Sequence, residues 1–184
     1  MILDHDTAKR FIDNYKRFLL DIDAELLGTN STATVLEKMH WARKQLMSSP
    51  VMMKHYLGEA GESGTFDQDM LAAIGTLRVD SWVYLRDTRR HSIFIRQDGS
   101  IAFGVVGLLD PLGEIVGGAG GIFFTAGVVQ LSGYYVCDGL LLEPILIGPG
   151  YRRSYNETLA NLKRQGQFFT TCEAGSNKSN RRTH

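Results

Sequence analysis

The fold of this chain is decided by residues 100–150, which read SIAFGVVGLLDPLGEIVGGAGGIFFTAGVVQLSGYYVCDGLLLEPILIGPG. This stretch contains no lysine or arginine, and its acidic residues are Asp110, Glu114, Asp138 and Glu143. A sheet with one face in water alternates apolar and polar residues, and these segments do not alternate in that way. We therefore expect both faces of a sheet to be covered, by helices, by closure of the sheet or by a partner subunit.

Turn signals divide this region and the residues before it into short strands. Asp98-Gly99 is typical of a two-residue hairpin, and Asp110–Gly113 is typical of a tight turn. Such short links favour antiparallel neighbours, so the prediction is a meander of about five or six strands that can curl toward a barrel. The predicted strands are Val79–Arg86, His91–Arg96, Ser100–Leu109, Gly121–Leu131 and Tyr134–Leu142, with a short edge strand in Gln167–Thr171.

Apolar residues recur at every third or fourth position before residue 78, which predicts a layer of amphipathic helices. Thr34 and Glu37 have the spacing of a capping box, and Pro50 suits the first turn of a helix. The glycines of Gly58–Thr65 predict a loop and the best candidate boundary inside the chain. The predicted helices are Asp6–Leu27, Thr34 to about Met47, Ser49 to about Leu57, a helix after Asp67, and Tyr155–Arg164 behind a second capping box of Ser154 and Glu157.

Helices followed by strands predict the α+β class rather than alternating β-α-β units. We expect one domain, residues 1–172, in which a helical layer (residues 1–77) packs on a mainly antiparallel sheet (residues 78–172). A C-terminal helix then covers part of the sheet. The polar residues 173–184 are expected to form a disordered tail.

Composition argues against several classes of function. The chain has 184 residues and a formal net charge of zero, so no overall field draws it to nucleic acid or to a membrane surface. Its start, MILDHDTAKR, lacks the pattern of a secretory signal, and glycines interrupt the longest uncharged segment. Its two cysteines, Cys137 and Cys172, form neither a disulfide framework nor a zinc motif, and the histidines show no metal-binding spacing. We therefore expect a cytoplasmic protein without a membrane span, metal or cofactor.

The junction Gly148–Ser154 is the first candidate ligand site. Glycines there lead into a helix whose first N–H groups are free, and two arginines beside them suit a phosphate or a carboxylate. The predicted ligand-binding residues are Gly150, Arg152, Arg153 and Ser154. The alternative is an ordinary turn with solvated arginines, since the glycine spacing matches neither a P-loop nor a dinucleotide fingerprint.

Asp138 and His91 are the candidate catalytic residues. Asp138 follows Cys137 in an otherwise apolar strand, where a carboxylate must be paired or its pKa rises. Such a group suits general acid or base chemistry, and His91 is a second group that could move a proton. The alternative for Asp138 is a structural partner such as an arginine.

Two further segments have weaker signals. The arginines of Arg86–Arg96 lie among aromatic residues, as in sites that bind single-stranded nucleic acid, but aspartates dilute their charge. The glycines of Gly117–Gly121 could cradle a phosphate, but a strand pattern follows them instead of a helix. The alternative for the arginine segment is a solvated hairpin turn. The alternative for the glycine segment is a flexible hairpin connection or a place where another backbone approaches closely.

These observations favour a non-catalytic binding or assembly domain. We expect it to self-associate through the apolar sheet as a homo-oligomer, with a homodimer as the simplest case, and to hold a small anionic or apolar ligand. One alternative is a small enzyme that acts on an anionic substrate held at the Gly148–Arg153 helix start. A weaker alternative is a nucleic-acid adaptor that uses the Arg86–Arg96 hairpin.

Overall fold

The computed structural model describes residues 1–27, 32–118 and 120–172, so the predicted tail lies outside the described residues. The described residues form six helices and seven strands. The helices are α1 (His5–Leu27), α2 (Val35–Ser48), α3 (Pro50–Glu62), α4 (Gln68–Ile74), α5 (Leu112–Ile115) and α6 (Pro149–Arg164). The strands are β1 (Arg78–Asp87), β2 (Ser92–Arg96), β3 (Ala102–Val106), β4 (Ile122–Leu131), β5 (Tyr134–Cys137), β6 (Leu142–Leu146) and β7 (Phe168–Phe169).

Local signals account for the starts of the N-terminal helices. The capping box before α2 is present: the Glu37 backbone N–H donates to Thr34 Oγ1 at 3.3 Å, and the Thr34 N–H donates to Glu37 Oε2 at 2.7 Å. Asp67 caps α4, because its side chain accepts from the backbone N–H groups of Asp69 and Met70. Both caps are therefore confirmed.

The predicted loop at Gly58–Thr65 is wrong for residues 58–62, because α3 continues to Glu62. Gly58 and Gly61 face open space, since no heavy atom lies within 4 Å of where a Cβ atom would stand at either position. Each glycine disfavours a helix by about 1 kcal/mol relative to alanine. Burial of Tyr56 and Ala60 on one face of α3 offsets that cost, which local composition does not reveal.

The sheet is mixed but mostly antiparallel, and it is ring-like without being a barrel. β1 pairs with β2 on one edge and with β4 on the other, so the pairings run β1-β2-β3-β5-β4 and return to β1. β6 pairs with β4 beyond this ring. The predicted antiparallel character is confirmed, whereas the parallel pairs β3–β5 and β3–β7 depart from a pure meander.

Both faces of the sheet are covered within one chain, as the apolar strands require. Alternate residues of a strand enter different clusters: Val128 packs in an aromatic cluster around Trp82 and Phe124, whereas Val129 packs against the N-terminal helices. Leu159 and Leu162 of α6 cover another part of the sheet. The N-terminal helical layer and the C-terminal covering helix are thus confirmed, and the α+β class with them.

Two predicted boundaries differ from the structure near the C-terminus. α6 begins at Pro149 with Gly148 as its N-cap, so Ser154 lies inside the helix and does not cap it. Proline is well suited to the first helical position, and this signal outweighs the spacing of Ser154 and Glu157. The predicted fifth strand ends at Cys137, and the chain resumes as β6 five residues later. Among the described residues, no helix is both long enough and apolar enough to span a membrane.

Candidate functional site

Asp138 is the centre of a buried polar network at the end of β5. It is 5% exposed. Its Oδ1 accepts from the backbone N–H groups of Gly127 and Leu140, both at 3.1 Å. Its Oδ2 accepts from Tyr15 Oη at 3.1 Å and from Arg43 Nη1 at 2.7 Å. Donors thus contact both oxygens, an arrangement that fits the ionised carboxylate.

Burial and hydrogen bonding act on the Asp138 carboxyl in opposite directions. Burial raises the pKa of Asp138, and the Arg43 guanidinium and the two backbone N–H groups oppose that rise. The same network raises the pKa of Tyr15, through burial and the nearby charge of Asp138. Tyr15 therefore stays a neutral donor to the carboxylate.

Gly127 of β4 lets the carboxylate approach the backbone this closely. A Cβ atom at this position would lie 2.7 Å from Asp138 Cγ and 2.7 Å from Leu77 Cδ1. Both distances are well inside van der Waals contact, so a side chain cannot replace the hydrogen atom here without displacing Asp138 or Leu77.

Arg43 of α2 holds the other end of the network and retains one unused donor. It is 1% exposed, and its Nη1 donates both to Asp138 Oδ2 and to the Leu140 carbonyl oxygen at 2.7 Å. Within the described part of the chain, Nη2 is buried and has no hydrogen-bond partner. An unsatisfied donor on a buried charged group is unfavourable and therefore requires an explanation.

Arg43 also lines a groove of about 370 Å³ between α2 and the strands β1, β4 and β6. We call it the α2–β6 groove. Its lining residues are His40, Trp41, Arg43, Lys44, Met47, Val79, Thr125, Leu142 and Glu143. Most of these are apolar or partly apolar, and a few polar groups converge among them, which is the usual character of a small-molecule site.

His40, another lining residue of this groove, also has an unsatisfied polar atom. Its Nδ1 is buried and has no hydrogen-bond partner among the described residues. Burial and the positive charge of Arg43 lower the pKa of His40, and Asp138 opposes them. His40 is therefore neutral at physiological pH, with one nitrogen available as donor or acceptor.

The backbone is irregular on the strand side of the groove. Glu143 adopts a left-handed conformation with φ of 54°, which is costly for a residue with a side chain. The pairing of β4 with β6 shifts register between Phe123 and Thr125, as at a β-bulge. Strained residues and bulges are both enriched at functional sites, because they re-aim side chains.

The described contacts place the two candidate catalytic residues in different parts of the molecule. Asp138 lies under α1 and α2, as described above. The His91 ring packs 5.6 Å from the Phe168 ring and covers Gly104, where a Cβ atom would lie 2.7 Å from its Cγ. Burial and the charge of Lys163 lower the pKa of His91. Packing accounts for the position of this histidine.

The predicted ligand residues at the start of α6 lie elsewhere again. Arg152 lines a cleft of about 560 Å³ with Arg86, Asp87 and Glu114. Two of these groups are cationic and two are acidic, so the cleft has little net charge to attract an anion. The other three predicted residues, Gly150, Arg153 and Ser154, are exposed. Their role in binding stays a prediction.

Some polar groups of the weaker candidate segments have partners within the chain. The N–H groups of Gly117, Gly118 and Gly121 donate to backbone carbonyl oxygens, so they are engaged within the chain. In the hairpin, Arg86 Nη1 donates to Asn156 Oδ1 at 2.5 Å, and Arg96 Nε lies 3.0 Å from Asp80 Oδ2. Arg89 and Arg90 are exposed, which fits the alternative of a solvated hairpin turn. A Cβ atom at Gly120 would lie 2.7 Å from the Leu85 carbonyl oxygen, which fits the close approach of another backbone.

Sequence reasoning identified Asp138 but missed Arg43, Tyr15 and His40. One signal was available: Arg43 stands among Met39, Ala42 and Leu46, on the apolar stripe of a helix, where a charged residue needs a partner. Asp138 is an acid in an otherwise apolar strand, and Arg43 is a base on an apolar helix face. Each residue therefore supplies the partner that the other needs.

The chain was also compared with known proteins. No known protein family, curated protein or solved structure matches it. The α2–β6 groove and the network beneath it are therefore the features that bear on function.

Proposed function

We propose that this chain is a non-catalytic binding domain that holds a small ligand in the α2–β6 groove. The observation that carries the proposal is the lining of this groove, which combines apolar walls with a few polar groups: Trp41, Met47, Val79 and Leu142, with His40, Lys44 and Glu143 among them. Such a groove offers a ligand both apolar surface to bury and groups that set its orientation.

The groups expected to perform chemistry are poorly placed for it. Both oxygens of Asp138 already accept hydrogen bonds, and Asp138 is not among the lining residues of the groove. Burial raises the pKa of the Cys137 thiol to about 12, so it is protonated and unreactive at neutral pH. Binding without chemistry is therefore the better-supported function, and the enzyme alternative stays a prediction.

An uncharged fluorescent probe, N-phenyl-1-naphthylamine, tests this proposal directly. Its emission should rise with saturation when it enters the groove. Val79→Phe places a ring in the groove and should weaken binding about tenfold or more, because the probe and the new ring compete for the same volume. Val51→Phe is the matched control, since Val51 is 75% exposed on α3. Equal binding by wild type and Val79→Phe would overturn the proposal.

Self-association is a second candidate function, and β6 favours it. Ile145 and Leu146 of this strand are 58% and 68% exposed, although the faces of the sheet are covered. Among the described pairings, β6 contacts β4 on one side only, and Pro144 limits hydrogen bonding on the open edge. A partner would thus be held by side chains more than by strand addition.

Light scattering tests the assembly proposal. We expect a dimer mass for the wild-type protein, a monomer mass for Ile145→Glu, and no change for Val51→Glu. A wild-type monomer at high concentration would contradict it.

The free thiols of Cys137 and Cys172 fit the reducing cytoplasm that we propose as the setting of this domain.

A further inference from the structure

We propose that Glu25, His55 and Glu59 form a binding site for a divalent transition-metal ion, with Zn²⁺ as the reference ion. The site lies between α1 and α3, away from the lining residues of the α2–β6 groove, so the inference is independent of the proposed function. It depends on the positions of three ligand atoms, on the kind of atom that each residue offers and on the charge that they share.

The three side chains converge from two helices. A carboxylate oxygen of Glu25, a carboxylate oxygen of Glu59 and a ring nitrogen of His55 all lie within 4.8 Å of one another. His55 and Glu59 are one helical turn apart on α3, and His55 Nε2 lies 3.5 Å from Glu59 Oε1. Zinc is bound at about 2.0–2.2 Å with tetrahedral geometry, so its ligand atoms are roughly 3.3–3.6 Å apart. The pair on α3 already has that spacing, and the exposed Glu25 side chain has to move only slightly to complete the set.

The ligand atoms select the class of metal. Imidazole nitrogen and carboxylate oxygen are both good ligands for Zn²⁺, whereas Mg²⁺ and Ca²⁺ favour sites made of oxygen atoms alone. His55 therefore distinguishes this site from an ordinary patch of acidic residues. Three protein ligands leave the fourth position of a tetrahedral ion to water. Histidine spacing in the sequence does not reveal the site, because its third ligand comes from another helix.

The two carboxylates lack a cationic partner that would compete with a metal. Within the described residues, no lysine or arginine forms an ion pair with Glu25 or Glu59. Both line a cleft of about 200 Å³ together with Asp21, whose own carboxylate lies 4.0 Å from Arg17 Nε. A divalent cation would neutralise both glutamates and remove the repulsion between them.

The backbone beneath the site is anchored on both helices. Tyr56 follows His55 in the sequence and is 7% exposed, and its ring centroid lies 5.1 Å from that of His55. On α1, Ile22 stands about one turn before Glu25 and is fully buried. Binding therefore has to order side chains but not helices, which keeps its entropic cost low. A bound ion would connect the end of α1 to α3 and should stabilise the folded chain.

Isothermal titration calorimetry of the full chain, after removal of metal with a chelator, tests the inference at neutral pH. We expect one Zn²⁺ ion to bind per chain and Mg²⁺ to bind at least tenfold more weakly. Zn²⁺ at about one hundred times its Kd should also raise the melting temperature by about 5–10 °C, because it binds the folded state preferentially.

Three single variants each remove one ligand: His55→Ala, Glu25→Gln and Glu59→Gln. Loss of a group that merely supports a ligand weakens metal binding about 10- to 100-fold, so loss of a ligand should weaken it about 100-fold or more and abolish the thermal shift. The ligands are exposed, so the variants should fold, and circular dichroism checks this.

His5→Ala is the matched control. His5 is an exposed histidine on α1 whose Nδ1 lies 3.6 Å from Asp6 Oδ1, so it offers the same atom types without the third ligand. The affinity and the stoichiometry of Zn²⁺ should not change in this variant.

Each opposite result would overturn the inference. Wild-type affinity in His55→Ala, or equal binding of Mg²⁺ and Zn²⁺, would mean that the carboxylates attract cations by charge alone. Wild-type affinity in Glu25→Gln would mean that α1 does not take part, and a loss in His5→Ala would place the ion at the other end of α1. None of these measurements involves the fluorescent probe, so their failure is distinguishable from failure of the proposed function.

Discussion

Replacement of Asp138 by asparagine removes the negative charge that faces Arg43 and leaves the guanidinium buried without a counter-ion. The shape of the side chain is nearly unchanged, so the effect comes from the lost charge and from one acceptor that becomes a donor. The asparagine oxygen can accept from one pair of the present donors. Its NH₂ group then faces donors in the place of the other oxygen, either the two backbone N–H groups or Tyr15 and Arg43.

The expected loss in the free energy of unfolding is about 3–5 kcal/mol, the usual result when one partner of a buried ion pair is removed. For a protein of this size, each kcal/mol shifts the melting temperature by about 2–4 °C, so the midpoint should fall by roughly 6–20 °C. A whole domain is stable by only about 5–15 kcal/mol, so Asp138→Asn should be close to unfolding at physiological temperature.

Urea unfolding, followed by circular dichroism, measures this loss. Tyr15→Phe is the internal control, because it removes one neutral donor and leaves Arg43 paired; we expect a loss of about 1.5–3 kcal/mol. The double variant Arg43→Met with Asp138→Leu should be more stable than either single variant, since it leaves no unpaired buried charge. A loss below about 1 kcal/mol for Asp138→Asn would refute the reasoning, since the pair would then contribute no more than an exposed one.

Three further predictions concern other parts of the chain. Gly104→Ala should destabilise the protein because its Cβ meets the His91 ring, and adding His91→Ala should restore much of the stability in urea unfolding; no rescue would count against this packing account. Arg10 holds the pKa of the Asp67 carboxyl below its usual range, so the stabilisation due to the charge is present above about pH 4 and is lost as the pH falls through the folded-state pKa. Asp67→Asn keeps a helix cap and should therefore be less stable than wild type at pH 6 in thermal melts. The difference should shrink as the pH falls through the folded-state pKa, and a constant difference would contradict this prediction. The Cys137 thiol should resist an uncharged alkylating reagent until the protein is unfolded, and mass spectrometry of native protein would reveal the opposite.

Features encoded by neighbouring residues were predictable from the sequence. The Thr34–Glu37 capping box and the Asp67 cap each depend on a few adjacent positions, and the structure contains both. The hairpin predicted at Asp98-Gly99 also forms between β2 and β3, but its loop is Gln97–Ser100 rather than a two-residue turn, because the Arg96 N–H donates to the Ile101 carbonyl oxygen. Burial of both faces of the sheet was predictable for the same reason, because it follows from the composition of each strand by itself.

Features that depend on distant residues were not predictable in the same way. The pairing of β1 with β4 sets Trp82 opposite Phe124 and closes the ring, yet no local pattern specifies which edges meet. The parallel pair β3–β5 is a similar case, because β4 and its connection separate the two strands in sequence. Turn lengths restrict neighbouring strands only, so they left these pairings open.

The candidate site shows the same division. Asp138 stood out because a carboxylate in an apolar strand requires compensation, a local argument. Its partners come from α1 and α2, and the Arg43–Asp138 contact spans 95 residues, so only the assembled fold identifies them. The groove is less predictable still, since its walls come from four separate elements.

The buried ion pair is not an efficient way to stabilise this fold. A pair of well-packed apolar residues in place of Arg43 and Asp138 is often as stable or more stable, because burial of two charges carries a large desolvation penalty. The pair nevertheless comes with a glycine that permits its approach, a tyrosine that donates to it and an arginine nitrogen that no described residue satisfies. A network that served stability alone would use that last donor internally. The fold thus tolerates a buried, unsatisfied donor beside a buried ion pair, a cost that stability alone does not explain.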